Sequence, residues 1–183
     1  MGTRNQELEK MSNLISELAE KFGATADECA IDECATVAAE KLTEAVSFLK
    51  ETHAFDVLID IVGVDYLGME NHKGKRFAAI YCLKCTKNMA RLRLKVEVGE
   101  GEKIPDISQI YPIADWQERE VWDQFGIEFE GHHNLKRLLN HADFEGHPLR
   151  KDYPAQKRQW LSENDQMLDQ LEKRLEHLGY NVI

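Results

Sequence analysis

The sequence predicts an α+β fold in which a largely antiparallel or mixed sheet packs with helices and is followed by an extended C-terminal wrap and a terminal helix. Three observations lead to this prediction. Apolar residues recur at spacings of three and four over residues 5–21 and 38–52, which is the helical period. Two strand patterns over residues 76–98 follow each other directly, which favours hairpins over a doubly wound fold. Residues 127–160 have no period of either kind.

The pattern divides the chain into four segments. They are an N-terminal acidic helical segment over 1–35, an α+β core domain over 36–126, an extended interface segment over 127–160 and a C-terminal helix over 161–183. Gly23 ends the first helix, whose apolar face consists of Leu8, Met11, Leu14, Ile15 and Leu18. The apolar face of the second helix consists of Leu42, Ala45, Val46 and Leu49.

Three strands are predicted between the second and third helices. Residues 55–62 are apolar on both faces, which is typical of a central strand covered on two sides. Residues 76–86 form the second strand, and residues 91–98 alternate between apolar and charged side chains. That alternation indicates a half-exposed strand whose polar face meets water or a partner. A turn at residues 87–89 joins the last two strands as a hairpin.

The third helix is predicted over residues 115–125, because Gly126 can end it. After it comes a short internal echo, in which Phe-Glu-Gly-His at 129–132 returns at 144–147, each time followed by a leucine and two cations. The echo indicates two similar loop anchors. Ser162 caps the final helix, whose apolar face consists of Met167, Leu168, Leu171, Leu175 and Leu178.

Composition limits the partners that this chain can have. A net charge of −10 excludes nucleic acid as the main partner, because phosphate binding needs a basic surface. It also disfavours docking onto an anionic membrane by charge alone. No apolar run approaches the ~20 residues that span a bilayer, and the polar N-terminus is unlike a signal peptide. We expect a soluble or peripheral chain with its four cysteines reduced in a cytoplasmic compartment.

Cysteines and histidines are the residues that could hold a metal. Cys82 and Cys85 form a CxxC pair, but residues three apart in a strand point to opposite faces, so a structural role is expected. The chain has too few well-spaced thiolates for an iron–sulfur cluster. Four histidines lie close together: His132, His133, His141 and His147. Their spacing matches no helix-borne zinc motif, which favours structural or interface hydrogen bonds, with metal binding or a pH-sensitive contact as alternatives.

The third helix carries Glu118, Arg119 and Glu120 with aromatic residues on almost every side. On a generic helix such charges form a solvated face. Here little room is left for a free face, and an unpaired buried charge is costly, so we expect partners for these charges. The candidate cations are Arg137, Arg150 and Lys151. The sequence has no phosphate-binding loop or catalytic-triad motif, which is typical of a scaffold subunit more than of an enzyme.

Two stretches of the chain are long enough and distinctive enough to compare with known families: residues 114–127 (ADWQEREVWDQFGI) and 146–154 (GHPLRKDYP). Both resemble signature stretches of the 30 kDa, or C, subunit family of respiratory NADH:quinone oxidoreductase (complex I), and the resemblance extends over residues 36–155. The family commonly has proline where His133 stands and arginine where Lys136 stands. These departures leave room for the equivalent subunit of a group 4 membrane-bound nickel–iron hydrogenase.

The resemblance implies a structural subunit of the peripheral arm without catalytic, cofactor-binding or metal-binding residues of its own. FMN, iron–sulfur clusters and quinone are then held by partner subunits. The chain packs against the 49 kDa-type (D) subunit near the quinone site, beside the terminal-cluster subunit, on the cytoplasmic face of the cell membrane. The implied interface residues are Glu118, Arg119, Glu120, Arg137, Arg150, Lys151, Asp152 and Tyr153. The alternative of another class is a free-standing metal enzyme that uses the histidine-rich segment.

Two expectations concern assembly. Arg150 should form a bidentate pair with a carboxylate, either on the third helix or on the partner subunit. The N-terminal segment lies outside the resemblance, and residues 1–54 hold eleven acidic and five basic side chains. Because charged surface helices contribute little individually, deletion of residues 1–20 should leave the complex assembled.

Overall fold

Alternating side chains build a mixed sheet with one apolar face. The computed structural model describes residues 13–27, 32–157, 159 and 163–180. The strands are β1 (Thr25–Asp27), β2 (Glu33–Thr36), β3 (Val57–Asp65), β4 (Phe77–Lys84), β5 (Arg91–Val98), β6 (Lys103–Pro105) and β7 (Glu128–Glu130). The first five form one sheet in the order β1-β2-β5-β4-β3, while β6 and β7 form a parallel pair. Only β2 and β5 run parallel in the main sheet, so the predicted α+β class and mainly antiparallel pairing are confirmed.

The centre of the sheet is the predicted hairpin of β4 and β5. Tyr81 faces Leu94 and Leu83 faces Leu92 across it, and all four side chains are fully buried. The charged residues of β5 alternate onto the opposite, open face, as the sequence predicted. Because apolar side chains lie on only one face of this hairpin, one layer of helices is enough to cover the core.

Helices cover the buried face of the sheet. The described helices are α1 (residues 13–22), α2 (Leu42–His53), α3 (Ala114–Phe125) and α4 (Glu163–His177), and a 3-10 turn at Ala39–Lys41 precedes α2. The predicted apolar face of α2 is confirmed, and Ala54 ends that helix in the left-handed conformation. None of the helices in the described ranges combines the length and apolar character needed to cross a bilayer.

Helix α1 contributes more to the core than its charge suggested. Leu14 and Leu18 are 4% and 0% exposed and belong to the same apolar cluster as the sheet. The premise that this helix lies on the surface is wrong, because these two side chains are buried. Deletion of residues 1–20 would therefore remove two core side chains. Both leucines belong to the predicted apolar face of this helix. Its predicted beginning at residue 5 lies outside the described residues.

Strand β3 lies at the edge of the sheet, so its predicted central position is wrong. Val57, Ile59 and Val62 are between 37% and 46% exposed, which means that apolar residues on its second face have no covering layer. Helix α3 packs along the buried face of β3. A Cβ on Gly63 would lie 2.4 Å from the ring of Phe125, so glycine permits this close approach.

The chain after β7 forms the predicted wrap. Residues 131–157 contain no helix or strand and pass over α3, to which their backbone and side chains are bonded. Helix α4 follows, with Met167, Leu168 and Leu171 each more than half exposed. Its predicted cap, Ser162, lies outside the described residues.

Candidate functional site

Helix α3 positions the residues of the candidate site. It ends where Gly126 takes the left-handed conformation (φ 74), which glycine adopts without steric cost. Ala114, Glu118 and Val121 are spaced by four and three residues and therefore share the face that meets the core. Asp123 is buried as well, and it meets the segment that follows the helix.

Asp123 organises the first part of that segment. Its side chain is fully buried, and its Oδ2 accepts hydrogen bonds from the N–H groups of Leu138, Leu139 and Asn140 at 3.0, 2.8 and 2.9 Å. Its Oδ1 accepts from Arg137 at 2.8 Å and from the Asn140 amide at 3.0 Å. Burial alone would raise the pKa of Asp123, but these donors outweigh it and hold the pKa well below its ordinary value. The ionised Asp123 carboxylate is therefore the common acceptor that holds residues 137–140 in one conformation.

The repeated Phe-Glu-Gly-His stretch provides two equivalent anchors on α3. His132 donates from Nε2 to the carbonyl of Asp115 at 3.1 Å, and His147 donates from Nδ1 to the carbonyl of Asp123 at 3.0 Å. The glycines before them have φ values of 87 and 89. Burial lowers the pKa of His147, which favours its neutral form. The predicted structural hydrogen bonds are therefore confirmed for these two histidines.

Arg150 closes the C-terminal end of α3. Its Nε donates to the carbonyl of Phe125 at 2.6 Å and its Nη2 to that of Gly126 at 3.5 Å, while Nη1 pairs with Glu100 at 3.2 Å. The last carbonyls of a helix lack partners within it, and a cation there also complements the helix dipole. A bidentate pair of Arg150 with a carboxylate was predicted, on this helix or on the partner. On this helix, the guanidinium instead donates to backbone carbonyls.

A second ionic cluster fixes the end of the wrap to the sheet. Asp65, which is 1% exposed at the end of β3, accepts hydrogen bonds from Arg76 and from the N–H of Lys151. Burial would raise the pKa of Asp65, but these donors outweigh it and lower the pKa. Arg76 also pairs with Asp152 at 2.9 Å. Residues 151 and 152 are therefore held within the chain itself.

Glu118 is a buried acid of the opposite kind. It is 0% exposed, and its Oε1 accepts the N–H of Ile107 at 3.0 Å. Its Oε2 has no hydrogen bond to any of the described residues. Burial and, after it, the neighbouring Asp106 raise the pKa of Glu118 to about 9, so Glu118 is protonated at neutral pH.

The expectation that Glu118 pairs with Arg137, Arg150 or Lys151 within the chain is wrong; its Oε2 lies 3.9 Å from His132 Nε2. Among the described residues, Arg137 pairs with Asp123, and Arg150 pairs with Glu100. The energetic reason is that a buried carboxyl can avoid the cost of an unpaired charge by keeping its proton. Because it is fully buried, Glu118 also has no surface to offer a partner.

The other predicted residues divide between the interior and the surface. Arg119 is 6% exposed and donates to two backbone carbonyls of the wrap. Glu120 and the Lys151 side chain are exposed. Tyr153 accepts a hydrogen bond from Gln159 at 2.8 Å. The arrangement thus works as a clasp that fixes the wrap in one conformation and leaves selected side chains on its outside.

Asp115, His132 and His133 offer one potential metal-binding atom each, all within 4.8 Å. The Nδ1 of His132 accepts the N–H of Asn134 at 3.1 Å, which places the imidazole proton on Nε2, the atom that faces Asp115. A metal ligand must be deprotonated at the binding atom. The hydrogen bonding of His132 therefore favours a structural role, and a chain without bound metal stays a prediction.

Two central acids, Asp123 and Asp65, were not predicted as site residues. A negative charge in the last turn of a helix opposes the helix dipole, so Asp123 carried a signal that donors must surround it. Asp65 carried no such signal, because its partner Lys151 is 86 residues away. A contact between residues so far apart in sequence depends on the path of the wrap over the sheet, which no local pattern predicts.

Comparison with known proteins identifies the family of the chain. The model of the family described as respiratory-chain NADH dehydrogenase, 30 Kd subunit, matches residues 35–159. The C/D subunit of the NADH-quinone oxidoreductase of Bdellovibrio bacteriovorus is 43% identical over 155 residues, which are 83% of this chain and 27% of that protein. The C subunit of the same enzyme from Phenylobacterium zucineum is 44% identical over 117 residues, 63% of this chain and 54% of that protein. The chain thus spans about half, or less, of the length of these relatives.

Solved structures give the same result. A trypsin-resistant fragment (1–134) of Nqo5 has a TM-score of 0.63 at 30% identity and covers 68% of this chain and 98% of the fragment. A chain of an archaeal membrane-bound sulfane sulfur reductase has a TM-score of 0.65 at 22% identity, covering 91% of this chain and 92% of that one, which shows a shared fold. The family match covers the sheet, α3 and nearly all of the wrap. On this evidence the chain belongs to the family of the 30 kDa subunit of the respiratory-chain NADH dehydrogenase.

Proposed function

We propose that this chain is a structural subunit of the peripheral arm of a proton-translocating NADH:quinone oxidoreductase and packs against the 49 kDa-type (D) subunit near the quinone site. The observation that carries the proposal is family membership over residues 35–159. The D subunit is favoured as the partner because the name of the Bdellovibrio relative joins the C and D subunits in one chain.

The contact with the D subunit is proposed to involve the α3 surface, which we define as Trp116, Glu120, Leu139 and Leu149. Trp116, Leu139 and Leu149 are 55%, 64% and 53% exposed. Exposed large apolar side chains on a rigid support are typical of protein interfaces. Support is provided here by backbone hydrogen bonds, from Leu139 to the Asp123 carboxylate and from Leu149 to the carbonyl of Gln124 at 3.0 Å.

Preorganisation explains why the clasp lies inside the chain rather than across the interface. A loop that is ordered before binding loses less conformational entropy when the partner docks. Asp123, Arg137 and Arg150 hold the wrap in place, so Leu139 and Leu149 are presented in fixed positions. Of the interface residues implied by the resemblance, Glu120 and Lys151 remain candidates for direct contact, while Arg137 and Arg150 act through the wrap.

In this proposal the chain contributes no catalytic group. FMN, iron–sulfur clusters and quinone are bound by partner subunits, NADH oxidation and quinone reduction belong to the assembly, and the chain reaches the cytoplasmic face of the membrane through its partners. The clasp supports this role, because its ionised groups are already engaged with backbone atoms or with each other.

The experiment is complementation of cells that lack this chain. Their membranes should lose NADH:quinone electron transfer, and the wild-type chain should restore it. A chain with Leu139→Asp and Leu149→Asp should fold but fail to restore activity, because charge on the α3 surface prevents docking. The matched control is Leu67→Asp with Met69→Asp, which places the same two charges at positions that are 44% and 50% exposed on the loop between β3 and β4. Activity in the absence of the chain, or full restoration by the double variant, contradicts the proposal.

A further inference from the structure

The open face of the sheet is only partly covered by the chain itself. The loop over residues 66–75 crosses one end of this face, where the N–H of Lys75 donates to Glu97 of β5 at 3.3 Å and Tyr66 stacks on His72. At the other end, Val57 and Arg91 are exposed. The face therefore has a covered end and an open end.

The open end combines apolar and cationic side chains. We define it as Val57, Val62, Lys84 and Arg91; Asp60 shares this face between the two valines, and its Oδ1 accepts the N–H of Ile61 at 2.9 Å. Val57 pairs with Lys84 and Lys84 with Arg91 across three neighbouring strands, so these side chains form one row on the same face. Val57 and Val62 are 37% and 41% exposed on an edge strand. Proteins usually avoid exposed apolar residues at a sheet edge, because such edges associate with other chains.

The two cations of the open end face each other without an anion. Other cations on this face are paired, Arg93 with Asp32 and Lys95 with Asp27 and Glu97. No ion pair joins Lys84 or Arg91 to a carboxylate in the described ranges. Like charges directly opposite each other across strands destabilise a sheet. The Lys84–Arg91 repulsion therefore destabilises the isolated chain. A bound ligand with negative charge would remove this repulsion.

We infer that the open end is a second docking surface, which binds an acidic segment of another protein subunit with apolar side chains beside its carboxylates. The acidic residues would pair with Lys84 and Arg91, and the apolar ones would cover Val57 and Val62. This surface lies on the opposite face of the sheet from α3. The chain would then join two partner surfaces, one on each side of its sheet.

Charge selects a protein segment among the possible anionic ligands. The whole chain carries a net charge of −10, which repels nucleic acids and anionic membranes. A short acidic segment meets only the local cations, and its apolar residues gain from covering the exposed valines. A second copy of this chain would bring its own Lys84 and Arg91 to a two-fold interface, which adds repulsion.

The test uses Arg91→Glu in cells where the tagged variant replaces the native chain. The purified variant should be more thermally stable than the wild type, by about 1–4 °C in Tm, because a cross-strand attraction with Lys84 replaces repulsion. Retention of partner subunits should fall by about fivefold at low salt, with a smaller difference at high salt. A gain in stability together with a loss of retention is expected only if the cation serves a partner. Lys73→Glu is the control, because it makes the same charge change at an exposed position in the loop over 66–75 and should leave retention unchanged.

A photo-crosslinking residue at Val62 in the assembled complex identifies what covers the open end. Crosslinks to an acidic segment of another subunit support the inference. Crosslinks to a second copy of the chain, to lipid or to nucleic acid overturn it, as does wild-type retention of the Arg91→Glu variant. The same residue placed at Leu139 reports on the α3 surface separately, so failure of the proposed contact with the D subunit can be distinguished from failure of this inference.

Discussion

Substitution of Glu118 by glutamine should stabilise the protein at neutral and alkaline pH. Glu118 is fully buried, and its carboxyl holds a proton because burial and Asp106 raise its pKa to about 9. In the unfolded chain its pKa returns to the ordinary value of 4.5. Between these two values the native state holds a proton that the unfolded state has lost. The free energy of unfolding therefore falls as the pH rises from 4.5 towards 9, by about 1.4 kcal/mol per pH unit.

The magnitude follows from the distance between the ordinary pKa and the working pH. At neutral pH the native state keeps Glu118 protonated about 2.5 units above its ordinary pKa, which costs about 3 kcal/mol. Glutamine has nearly the same shape, needs no proton from solvent and can accept the N–H of Ile107. We allow about 1 kcal/mol for imperfect hydrogen bonding of the amide, which leaves a gain of about 2 kcal/mol. The gain should fall to zero at about pH 5 and turn into a loss of about 1 kcal/mol well below pH 4.5, where both states hold the proton.

The assay is urea unfolding of the purified chain at several pH values between about 5 and 8.5. Asp123→Asn is the matched control, since it makes the same chemical change at another fully buried acid of α3. That variant should be destabilised by about 3–5 kcal/mol, because it leaves Arg137 and three N–H groups without their carboxylate. A stability difference between wild type and Glu118→Gln that does not change with pH, or a uniform loss in the variant, would refute the assignment of a proton to Glu118.

The remaining predictions concern the wrap, the core and metal. Arg150→Ala should leave the sheet folded but loosen the wrap, at a cost of about 1–3 kcal/mol, and should weaken binding of the D subunit. Arg150→Lys should recover part of the stability and part of the binding. Circular dichroism and pull-downs at two salt concentrations can check these results. Equal retention by all three proteins would contradict it. Leu18→Ala should destabilise by about 2–5 kcal/mol in urea unfolding, and a loss below about 0.5 kcal/mol would show that α1 does not pack. Elemental analysis after gel filtration with a chelator should find no stoichiometric metal at Asp115, His132 and His133; one retained equivalent would contradict this prediction.

Local patterns predicted α2, α3 and the three longest strands, β3 to β5, because each depends on residues close in sequence, whereas the short strands β6 and β7 were not predicted. The alternation in residues 91–98 and the apolar face of α2 both appear as predicted. The thiol of Cys82 faces the open side of the sheet while Cys85 is buried, as the period of two requires. The position of β3 could not be predicted in this way, because exposed and buried apolar faces look alike in a sequence.

The site was harder to predict than the fold because its contacts join distant parts of the chain. Aromatic neighbours correctly indicated that Glu118 is buried, but protonation relieves its charge where a cation was expected. A carboxylate on α3 or on the partner was expected for Arg150, but it bonds to the Phe125 and Gly126 carbonyls and to Glu100, which no side-chain pattern reveals. Only the echo of His132 and His147 pointed directly to a contact in the structure, because a repeated motif placed two similar residues against one helix.

Affinity purification of the tagged chain from its own cells, followed by quantitative mass spectrometry, identifies the subunits with which the chain assembles. The proposal predicts that the D subunit is recovered in a ratio close to one to one, together with the subunits that carry FMN and the iron–sulfur clusters. Recovery of the chain alone, or in a complex that lacks a D-type subunit, would contradict the proposed function.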